Sequence, residues 1–571
     1  MGDVRAHQKG QLYQSASKLA RHMPPGAFGS PSRSEWLWVL AWSLALVALT
    51  SLPYVVGMLA STPDRQFGGF VYNVLDCNSY IAKMRQGAQG EWLFTLPYTS
   101  EQHRGAFIYP FYLILGKVAS LGGLSLVLTY HLARLVSIPV LLVSVYAFLV
   151  RVTPWSGIRR IALLLIVFSS GLGWLLTLLG RSSFAGSLPI DFWVTEGYLF
   201  LLVYAMPHLA FAAALLLWLL NAIIDAWKWH TRGLVLASAL LALLLTAILP
   251  FYTAVGYGVL GVTWVVESIL HRHADMRRLK VLVVSGLPSV PLLAYQGYVF
   301  ALDPFFRVWA AQNTTLSPNI LHYVLGYAFL LPWAAASVSS AIRRHGRMET
   351  LPVVWALLVP ILVYSPVRFQ RRFLIGFPIP LSLLAVPGFV RYALLPLSRS
   401  RPAHWFLRFP RYTLSGLRRW MVTAWIGLAA TSNVLLVAGS CADAWAQSPI
   451  MFHNHAELDA LDWLEVHTKA QDIVLCAFET GNYIPARTGN RVFLGHGPET
   501  VRSDQKREMV ARFFDPQTDD AWRQWLLREY DIAYLVIGPR ESALGGFNAH
   551  GVPYLFPAYG NDEYYIYRVT R

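Results

Sequence analysis

The chain has 571 residues, of which 55% are hydrophobic and only 14% charged, and its formal net charge is +16. Uncharged runs such as LASALLALLLTAILPFYTAVGYGVLGVTWVV, residues 236–266, exceed the length needed to cross a bilayer. This composition excludes a soluble globular protein of this size and predicts an α-helical polytopic membrane protein.

Charge divides the chain into two parts. Residues 442–571 contain 12 Lys/Arg and 18 Asp/Glu, a net charge of −6, which leaves 35 Lys/Arg and 13 acids, a net charge of +22, in residues 1–441. We interpret this as a basic membrane part that carries a separate soluble domain. Membrane topology explains the basic balance, so no nucleic-acid partner is predicted.

The first apolar run, residues 36–60, follows a basic tail, residues 1–35, whose polar composition predicts no folded structure. The run is too long for a signal-peptide core, so an uncleaved anchor helix is predicted. About eleven spans follow from hydropathy: 36–60, 129–152, 159–180, 198–222, 232–249, 251–270, 280–301, 319–341, 350–365, 373–393 and 419–441.

Residues 107–128 are apolar, but they are interrupted by Lys117 and a glycine pair. If this segment does not cross, the most basic loops all share one side with the tail, as the positive-inside rule requires. We therefore predict an interfacial helix here, a cytoplasmic N-terminus, and a location in the plasma (inner) membrane. The transmembrane part, residues 36–441, is then followed by an extracytoplasmic domain, residues 442–571.

The C-terminal domain alternates helix-like and strand-like runs, which predicts a small α/β fold. AELDALDWLEVHT, REMVARFF and AWRQWLLREY are typical of helices, and DIVLCAF, IAYLVIG and YYIYRVT are typical of strands. The segment GHGPET, residues 495–500, has no phosphate-loop spacing and is interpreted as a turn.

Asp76 lies in the first outer loop, where a helix is expected to present Tyr80, Met84 and Gly87 on one face. An acid just above the bilayer can act as a general base or bind a divalent cation. An ordinary solvated or helix-capping aspartate is the alternative.

Asp191 and Glu196 precede the fourth predicted span and could complete an acidic site, or belong to a hydrated loop. His208 lies within that span, where a buried, satisfied histidine is the alternative to a functional one. Gln312 and Asn313 add polar groups to a third outer loop.

Arg368, Arg371 and Arg372 lie in a short loop on the predicted outer side, where the positive-inside rule disfavours them. Guanidinium groups bind phosphate in bidentate fashion and keep their charge. The cluster therefore predicts a site for a phosphorylated lipid, with ordinary anionic headgroups or snorkelling at a span end as the alternatives.

This layout resembles the GT-C superfamily of polytopic glycosyltransferases, which take sugars from polyprenyl-phosphate carriers and include protein O-mannosyltransferases and aminoarabinose transferases. The resemblance rests on Asp76 in DCNSYIAKMRQGAQGEW, on the interfacial segment IYPFYLILGKVASLGGLS, and on Arg134 in the second span. Asp191 and Glu196 stand where the metal-using branch carries a second acidic motif. Many members have paired acids in the first loop, whereas Cys77 follows Asp76 here.

The resemblance implies inverting sugar transfer to an unknown acceptor, which could be a glycan, lipid or protein. Asp76 is the implied base, and Asp191 and Glu196 are the implied ligands of Mg²⁺ or Mn²⁺ or the groups that orient the acceptor. The candidate substrate-binding residues are Tyr80, His208, Gln312, Asn313, Arg368, Arg371 and Arg372. A transporter of polyprenyl-linked saccharides and a non-catalytic scaffold are the competing interpretations.

Overall fold

The computed structural model describes residues 31–344, 347–409 and 411–570. The predicted tail lies outside these residues as far as residue 30. The first helix of the described residues begins at Arg33, before the predicted start of the first span at residue 36, because Ser32 caps it. The Ser32 hydroxyl accepts the Glu35 amide, and the Glu35 carboxylate accepts the Ser32 amide, which satisfies two donors that a helix start leaves unpaired.

The membrane part is a succession of helices joined by short connections and one long first loop. In chain order these elements are α1 (Arg33–Leu59), β1 (Arg65–Phe67), α2 (Val74–Ala88), α3 (Pro110–Gly122), α4 (Leu126–Val152), α5 (Ser156–Phe168), α6 (Gly173–Leu178), α7 (Leu199–Ala205), α8 (Pro207–Trp229), α9 (Arg232–Ile248), α10 (Pro250–His271), α11 (Met276–Gly286), α12 (Val290–Leu302), α13 (Pro304–Gln312), α14 (Ile320–Gly326), α15 (Leu331–Arg344), α16 (Arg347–Leu362), α17 (Pro378–Phe389), α18 (Leu395–Leu397), α19 (Arg401–Phe406), α20 (Leu414–Ala429) and α21 (Thr431–Trp445).

Within the described ranges, six helical stretches are long and apolar enough to cross a membrane. The number rises to eight if each of two bent pairs is one span: α14 with α15, bent by 90°, and α20 with α21, bent by 48°. The predicted class of α-helical polytopic membrane protein is therefore confirmed. The count of eleven spans stays a prediction, because α3, α9 and the apolar part of α16 are shorter than the others.

The fourth predicted span, residues 198–222, is not one continuous helix. It is divided into α7, which ends at Ala205, and α8, which begins at Pro207. Proline lacks an amide hydrogen and favours the first turn of a helix, so a new helix starts at this position. His208 consequently lies in the first turn of α8, after a break that the apolar pattern of the span does not predict.

The predicted interfacial segment forms α3, whose 13 residues rise only about 20 Å, less than the ~30 Å hydrocarbon thickness. Helices α2 and α3 pack at backbone distance through two glycines. A Cβ atom on Gly87 would lie 2.0 Å from the Leu113 carbonyl oxygen, and one on Gly116 would lie 1.8 Å from that of Met84. The predicted face of α2, with Met84 and Gly87, is thus the face that meets α3.

The chain ends in a small α/β domain, as predicted. Its elements are β2 (Phe452–Asn454), α22 (His455–His467), β3 (Ile473–Leu475), α23 (Phe478–Arg487), β4 (Arg491–Val492), α24 (Ser503–Phe514), α25 (Asp520–Glu529), β5 (Ile532–Ile537), α26 (Pro539–Ser542), β6 (Leu555–Gly560) and β7 (Tyr565–Val569). Five strands form one sheet in the order β4-β3-β5-β7-β6, parallel from β4 to β5 and antiparallel beyond.

A short antiparallel pair joins the first long loop to the start of the C-terminal domain. In this pair, β1 follows α1 and β2 follows α21, and Gln66 lies opposite His453. The pairing holds residues 61–76 of the first loop beside the C-terminal domain, which positions the residues described next.

Candidate active site in the first long loop

Asp76 lies in the first turn of α2 and is not its N-cap. The N-cap is Asn73, which has a left-handed backbone (φ 47°) and makes no side-chain capping bond. The Asp76 Oδ1 atom instead accepts a hydrogen bond from Nε2 of His496 at 3.0 Å. The alternative of a helix-capping aspartate is thereby removed, although a negative charge at a helix N-terminus is still favourable.

The Asp76 carboxylate is favoured in its ionised form. Burial acts to raise its pKa, but the His496 hydrogen bond and the nearby charge of Lys83 outweigh burial, and the pKa lies below its ordinary value. The side chain is nevertheless 43% exposed, whereas that of His496 is 6% exposed. Asp76 is therefore a charged carboxylate whose Oδ1 atom is hydrogen-bonded and whose side chain is partly exposed.

A cavity of about 1130 Å³ adjoins this carboxylate. One wall is residues 71–76 of the first loop, a second is the face of α21 from Leu435 to Asp443, and a third is contributed by the C-terminal domain. The lining includes both Asp76 and His496, with Arg507 also contributed by the C-terminal domain. The cavity is thus a space of substrate size, bounded by both parts of the chain, that Asp76 can reach.

The C-terminal domain holds α2 through a row of polar contacts. Asn78 donates to Asn482 at 2.8 Å, and the Ser79 hydroxyl donates to Glu499 at 2.7 Å. Lys83 forms a buried ion pair with the same Glu499 oxygen at 2.5 Å. These contacts involve α23 and the 495–500 loop, so the position of α2 depends on the C-terminal domain.

The predicted turn GHGPET is present, and its flanking glycine explains how it reaches α2. A Cβ atom on Gly495 would lie 2.3 Å from the Gly481 carbonyl oxygen, so only glycine lets the loop pass against α23 at this distance. The Thr500 hydroxyl accepts the His496 amide at 3.2 Å and closes the turn. The turn therefore presents His496 and Glu499 to α2.

On the other side of Asp76 lies a cluster of two tyrosines and a histidine. The Tyr80 ring stacks on Tyr112 with centroids 4.5 Å apart and lies 4.9 Å from the His208 ring. The Tyr112 hydroxyl hydrogen-bonds His208 Nδ1 at 2.6 Å. These contacts bring Tyr80, Tyr112 and His208 together, and the charges of Asp76, Lys83 and Arg372 all act on this histidine.

The three arginines of residues 368–372 have separate partners. Arg368 is exposed and donates to the Ala311 carbonyl at 3.2 Å. Arg371 lies over the Trp193 ring, 4.4 Å from its centroid, and is acted on by the Glu196 charge. Arg372 lies 5.4 Å from the Phe251 ring centroid, and its charge reaches Tyr109 and His208. The charges of Arg372 and Asp76 thus act on the same histidine, His208.

Asp191 is a structural acceptor in this arrangement. It is 1% exposed, and its Oδ2 accepts from the amides of Gly171 and Gly173 and from the Ser432 hydroxyl, at 2.9, 3.1 and 2.7 Å. Burial raises its pKa, which disfavours the anionic form that a metal ligand needs. The residue joins the 170–173 turn to α21 and is not among the residues lining the cavity.

The residues around Asp191 and Glu196 do not fit a bound Mg²⁺ or Mn²⁺. Three donors already occupy Asp191 Oδ2, whereas Asp191 Oδ1 has no hydrogen-bond partner among the described residues but belongs to a side chain that is only 1% exposed. Glu196 accepts from Thr195 at 3.2 Å and faces the Arg371 charge. In the part of the chain that the structure describes, no three His, Cys, Asp or Glu side chains are grouped as metal ligands. No chemical step is therefore assigned to a metal.

Gln312 connects the membrane part to the C-terminal domain. Its side-chain amide donates to the Thr500 carbonyl at 2.7 Å and accepts the Arg502 amide at 3.0 Å. Asn313 is the C-cap of α13. Neither residue is among those that line the cavity, and their part in substrate binding stays a prediction.

Sequence patterns did not identify His496, Lys83, Glu499 or Arg507 as site residues. His496 and Asp76 are 420 positions apart, and a histidine between two glycines was the only local signal. Lys83 lies seven residues after Asp76, two turns along the same helix.

Comparison with known proteins identifies solved structures with a similar fold. No family model and no curated protein matches the sequence. The apo oligosaccharyltransferase of Archaeoglobus fulgidus is similar in structure, with a TM-score of 0.50 and 13% identity over 88% of this chain and 69% of that one. The mycobacterial arabinofuranosyltransferase AftD has a TM-score of 0.51 and 17% identity over 95% of this chain and 42% of AftD.

ArnT from Cupriavidus metallidurans bound to undecaprenyl phosphate has a TM-score of 0.47 and 13% identity over 92% of this chain and 98% of ArnT. The chain spans less than half of AftD. The oligosaccharyltransferase and AftD are both GT-C glycosyltransferases. At these identities the similarity concerns the fold, and the GT-C fold that the sequence resemblance implied is confirmed.

Proposed function

We propose that the protein is a membrane glycosyltransferase that moves a sugar from a polyprenyl-phosphate carrier to an acceptor hydroxyl, with inversion at the anomeric carbon. The observation that carries this proposal is Asp76: an ionised, accessible carboxylate beside a large cavity, held in a fold that glycosyltransferases share. A fold alone hosts many functions, so the proposal depends on this carboxylate and its surroundings.

The reaction needs one base and one site for negative charge. Asp76 accepts the proton of the acceptor hydroxyl, and the hydroxyl oxygen forms a bond to the anomeric carbon. The bond from that carbon to the phosphate oxygen breaks on the opposite face, and the lipid phosphate leaves with the electron pair. General-base catalysis of this kind contributes about 10²–10⁴-fold in rate.

Arg372 is the proposed group for the departing phosphate. Its charge acts on Tyr109 and His208, and the His208 ring lies 4.9 Å from that of Tyr80, so positive charge here can stabilise a developing phosphate anion. Arg371 assists, because its buried Nε has no hydrogen-bond partner among the described residues. The exposed Arg368 lies farther out and meets lipid headgroups.

The proposal also retains the predicted placement of the protein. The basic loops favour a cytoplasmic N-terminus, and the transfer site and residues 442–571 then lie on the outer face of the plasma membrane. The carrier, the acceptor and the bilayer are the proposed partners. Asp191 and Glu196 are assigned structural roles in the site because of the contacts described above.

The test is a transfer assay with the full chain in proteoliposomes. A panel of radiolabelled polyprenyl-phosphate sugars is offered with membrane extract as the source of acceptors, and wild type is compared with Asp76→Asn. Transfer that falls by about 10²-fold or more in Asp76→Asn supports the proposal. Equal transfer by both proteins refutes the role of Asp76, and movement of labelled lipid across the bilayer without transfer favours a transporter.

A further inference from the structure

The C-terminal domain contributes a side chain that directly contacts the proposed base. His496 belongs to the 495–500 loop, and its Nε2 atom lies 3.0 Å from Asp76 Oδ1. Because a carboxylate can only accept, Nε2 carries the hydrogen and donates it. Asp76 Oδ2 has no hydrogen-bond partner among the described residues, so one carboxylate oxygen is held and the other is left for a ligand in the cavity.

The imidazole is itself fixed in place. Its side chain is 6% exposed, and the ring centroid lies 5.5 Å from that of Tyr98. The Thr500 hydroxyl accepts the amides of both Gly495 and His496, and the Thr500 hydroxyl in turn donates to the Tyr98 carbonyl at 2.7 Å. The His496 backbone is thus held and its ring is buried, while its Nδ1 atom has no hydrogen-bond partner among the described residues. A buried donor on a held backbone restricts the rotamer of Asp76, which a short exposed side chain on a first helical turn does not achieve alone.

We propose that His496 is a positioning residue for Asp76, so that the C-terminal domain completes the transferase site by directing Asp76 Oδ2 towards the acceptor hydroxyl. The inference rests on the proposed function of Asp76 and extends it, since it assigns the C-terminal domain a part in the reaction. Loss of the imidazole frees the carboxylate to rotate while the carrier site around Arg372 remains intact.

Other charged and titratable groups lie near Asp76, and the effect of His496 on the Asp76 carboxylate adds to theirs. The charged and titratable ones are Lys83 and Tyr80 of α2, Cys77 beside Asp76, Tyr72 of the first loop, Tyr109 and Tyr112 near α3, and His208 of α8. Lys83 remains paired with Glu499 when His496 is replaced. The effect of a His496 substitution is therefore the loss of one hydrogen bond on Asp76, with the nearby cation retained.

A first experiment measures the protonation of Asp76 directly and needs no substrate. The full chain in phosphatidylglycerol/phosphatidylethanolamine nanodiscs is treated with a carbodiimide and an amine at a series of pH values, and Asp76 labelling is followed by peptide mass spectrometry. Only the protonated carboxyl reacts, so the labelling midpoint of His496→Ala is expected about one pH unit above wild type. His496→Gln, which can still place an N–H near Oδ1, is expected close to wild type.

The matched control is His453→Ala. His453 Nδ1 lies 3.2 Å from Glu457, so this variant also removes a buried histidine–carboxylate contact from the C-terminal domain, and neither residue is among the groups that act on the pKa of Asp76. Its Asp76 midpoint is expected to equal that of wild type. An unshifted midpoint in His496→Ala, or equal shifts in both alanine variants, overturns the inference.

A second experiment uses the donor that the transfer assay identifies. His496→Ala is expected to lower kcat about tenfold or more while KM for the lipid donor stays near that of wild type, and His496→Gln is expected to restore most of kcat. Equal loss in the alanine and glutamine variants contradicts a positioning role. A protein that transfers no sugar but shows the labelling shift refutes the proposed function alone, and transfer without the shift refutes the inference alone.

Discussion

The Nζ atom of Lys83 and the Oε1 atom of Glu499 lie 2.5 Å apart, with 1% and 6% of the two side chains exposed. The Ser79 hydroxyl donates to the same oxygen, and Glu499 Oε2 is buried without a partner in the described part of the chain. A buried charge that loses its partner costs several kcal/mol. The pair therefore couples the folding of α2 to that of the C-terminal domain.

Removing one member of this pair is expected to destabilise the protein more than removing both. Lys83→Met and Glu499→Met should each lower the free energy of unfolding by about 3–5 kcal/mol, because each leaves an unpaired buried group. Lys83→Met combined with Glu499→Met should cost less than the sum of the single changes. Unfolding followed by tryptophan fluorescence in detergent measures all of these.

The control for this cycle is the exposed contact between His455 and Asp459, whose side chains are 54% and 58% exposed. His455→Ala should change the free energy of unfolding by less than about 1 kcal/mol. Additive losses in the Lys83/Glu499 double variant would mean that the two residues act independently, against the coupling inferred here.

Substitution of Arg372 is expected to weaken use of the lipid donor far more than substitution of Arg368. Arg372 acts on the region of His208 and Tyr109, whereas Arg368 is exposed and bonded to the Ala311 carbonyl. Arg372→Gln should lower kcat/KM for the donor about tenfold or more, and Arg368→Gln by no more than about twofold. Equal losses in the two variants would mean that the phosphate is bound by the arginines of residues 368–372 together and not by Arg372 in particular.

Asp191→Ala is expected to reduce stability and leave the response of transfer to divalent cations unchanged. The substitution removes the acceptor of two buried amides and the Ser432 hydroxyl, which should cost about 3 kcal/mol or more. Asp191→Asn keeps one acceptor oxygen and should cost less. The measurements are thermal unfolding and transfer with and without a chelator, and a cation requirement that disappears with Asp191 would contradict the structural role.

Much of the architecture could be predicted because it depends on local pattern. Apolar length predicted the helical membrane class, and period-two and helical patterns predicted most elements of the C-terminal domain, including β5 and α25. Helix α23 was missed because Gly481 and Pro485 lie inside it and resemble a break. The face of α2 that carries Met84 and Gly87 was also correctly assigned, since helical spacing alone determines it.

The site was only partly predictable because its contacts join distant positions. Asp76 could be selected as a rare outer acid, but nothing near His496 in sequence indicates a partner 420 residues away. Asp191 and Glu196 looked alike as interfacial acids, and only the three donors on Asp191 distinguish a structural acceptor from a metal ligand. Burial and tertiary hydrogen bonds decide such roles.

The pH dependence of transfer should reflect the ionisation of Asp76. A base works only when deprotonated, and the hydrogen bond from His496 and the Lys83 charge hold the pKa of Asp76 below its ordinary value despite burial. Asp76 should therefore remain ionised across neutral pH, and its titration should lower activity only as the pH drops through this lowered pKa, below the ~3.9 of a free aspartate. The acid limb of kcat/KM, measured on protein shown to stay folded at each pH, tests this. A limb centred near pH 6 or higher in wild type would assign the essential base to another group, and a limb that moves upward in His496→Ala but not in His453→Ala would assign it to Asp76.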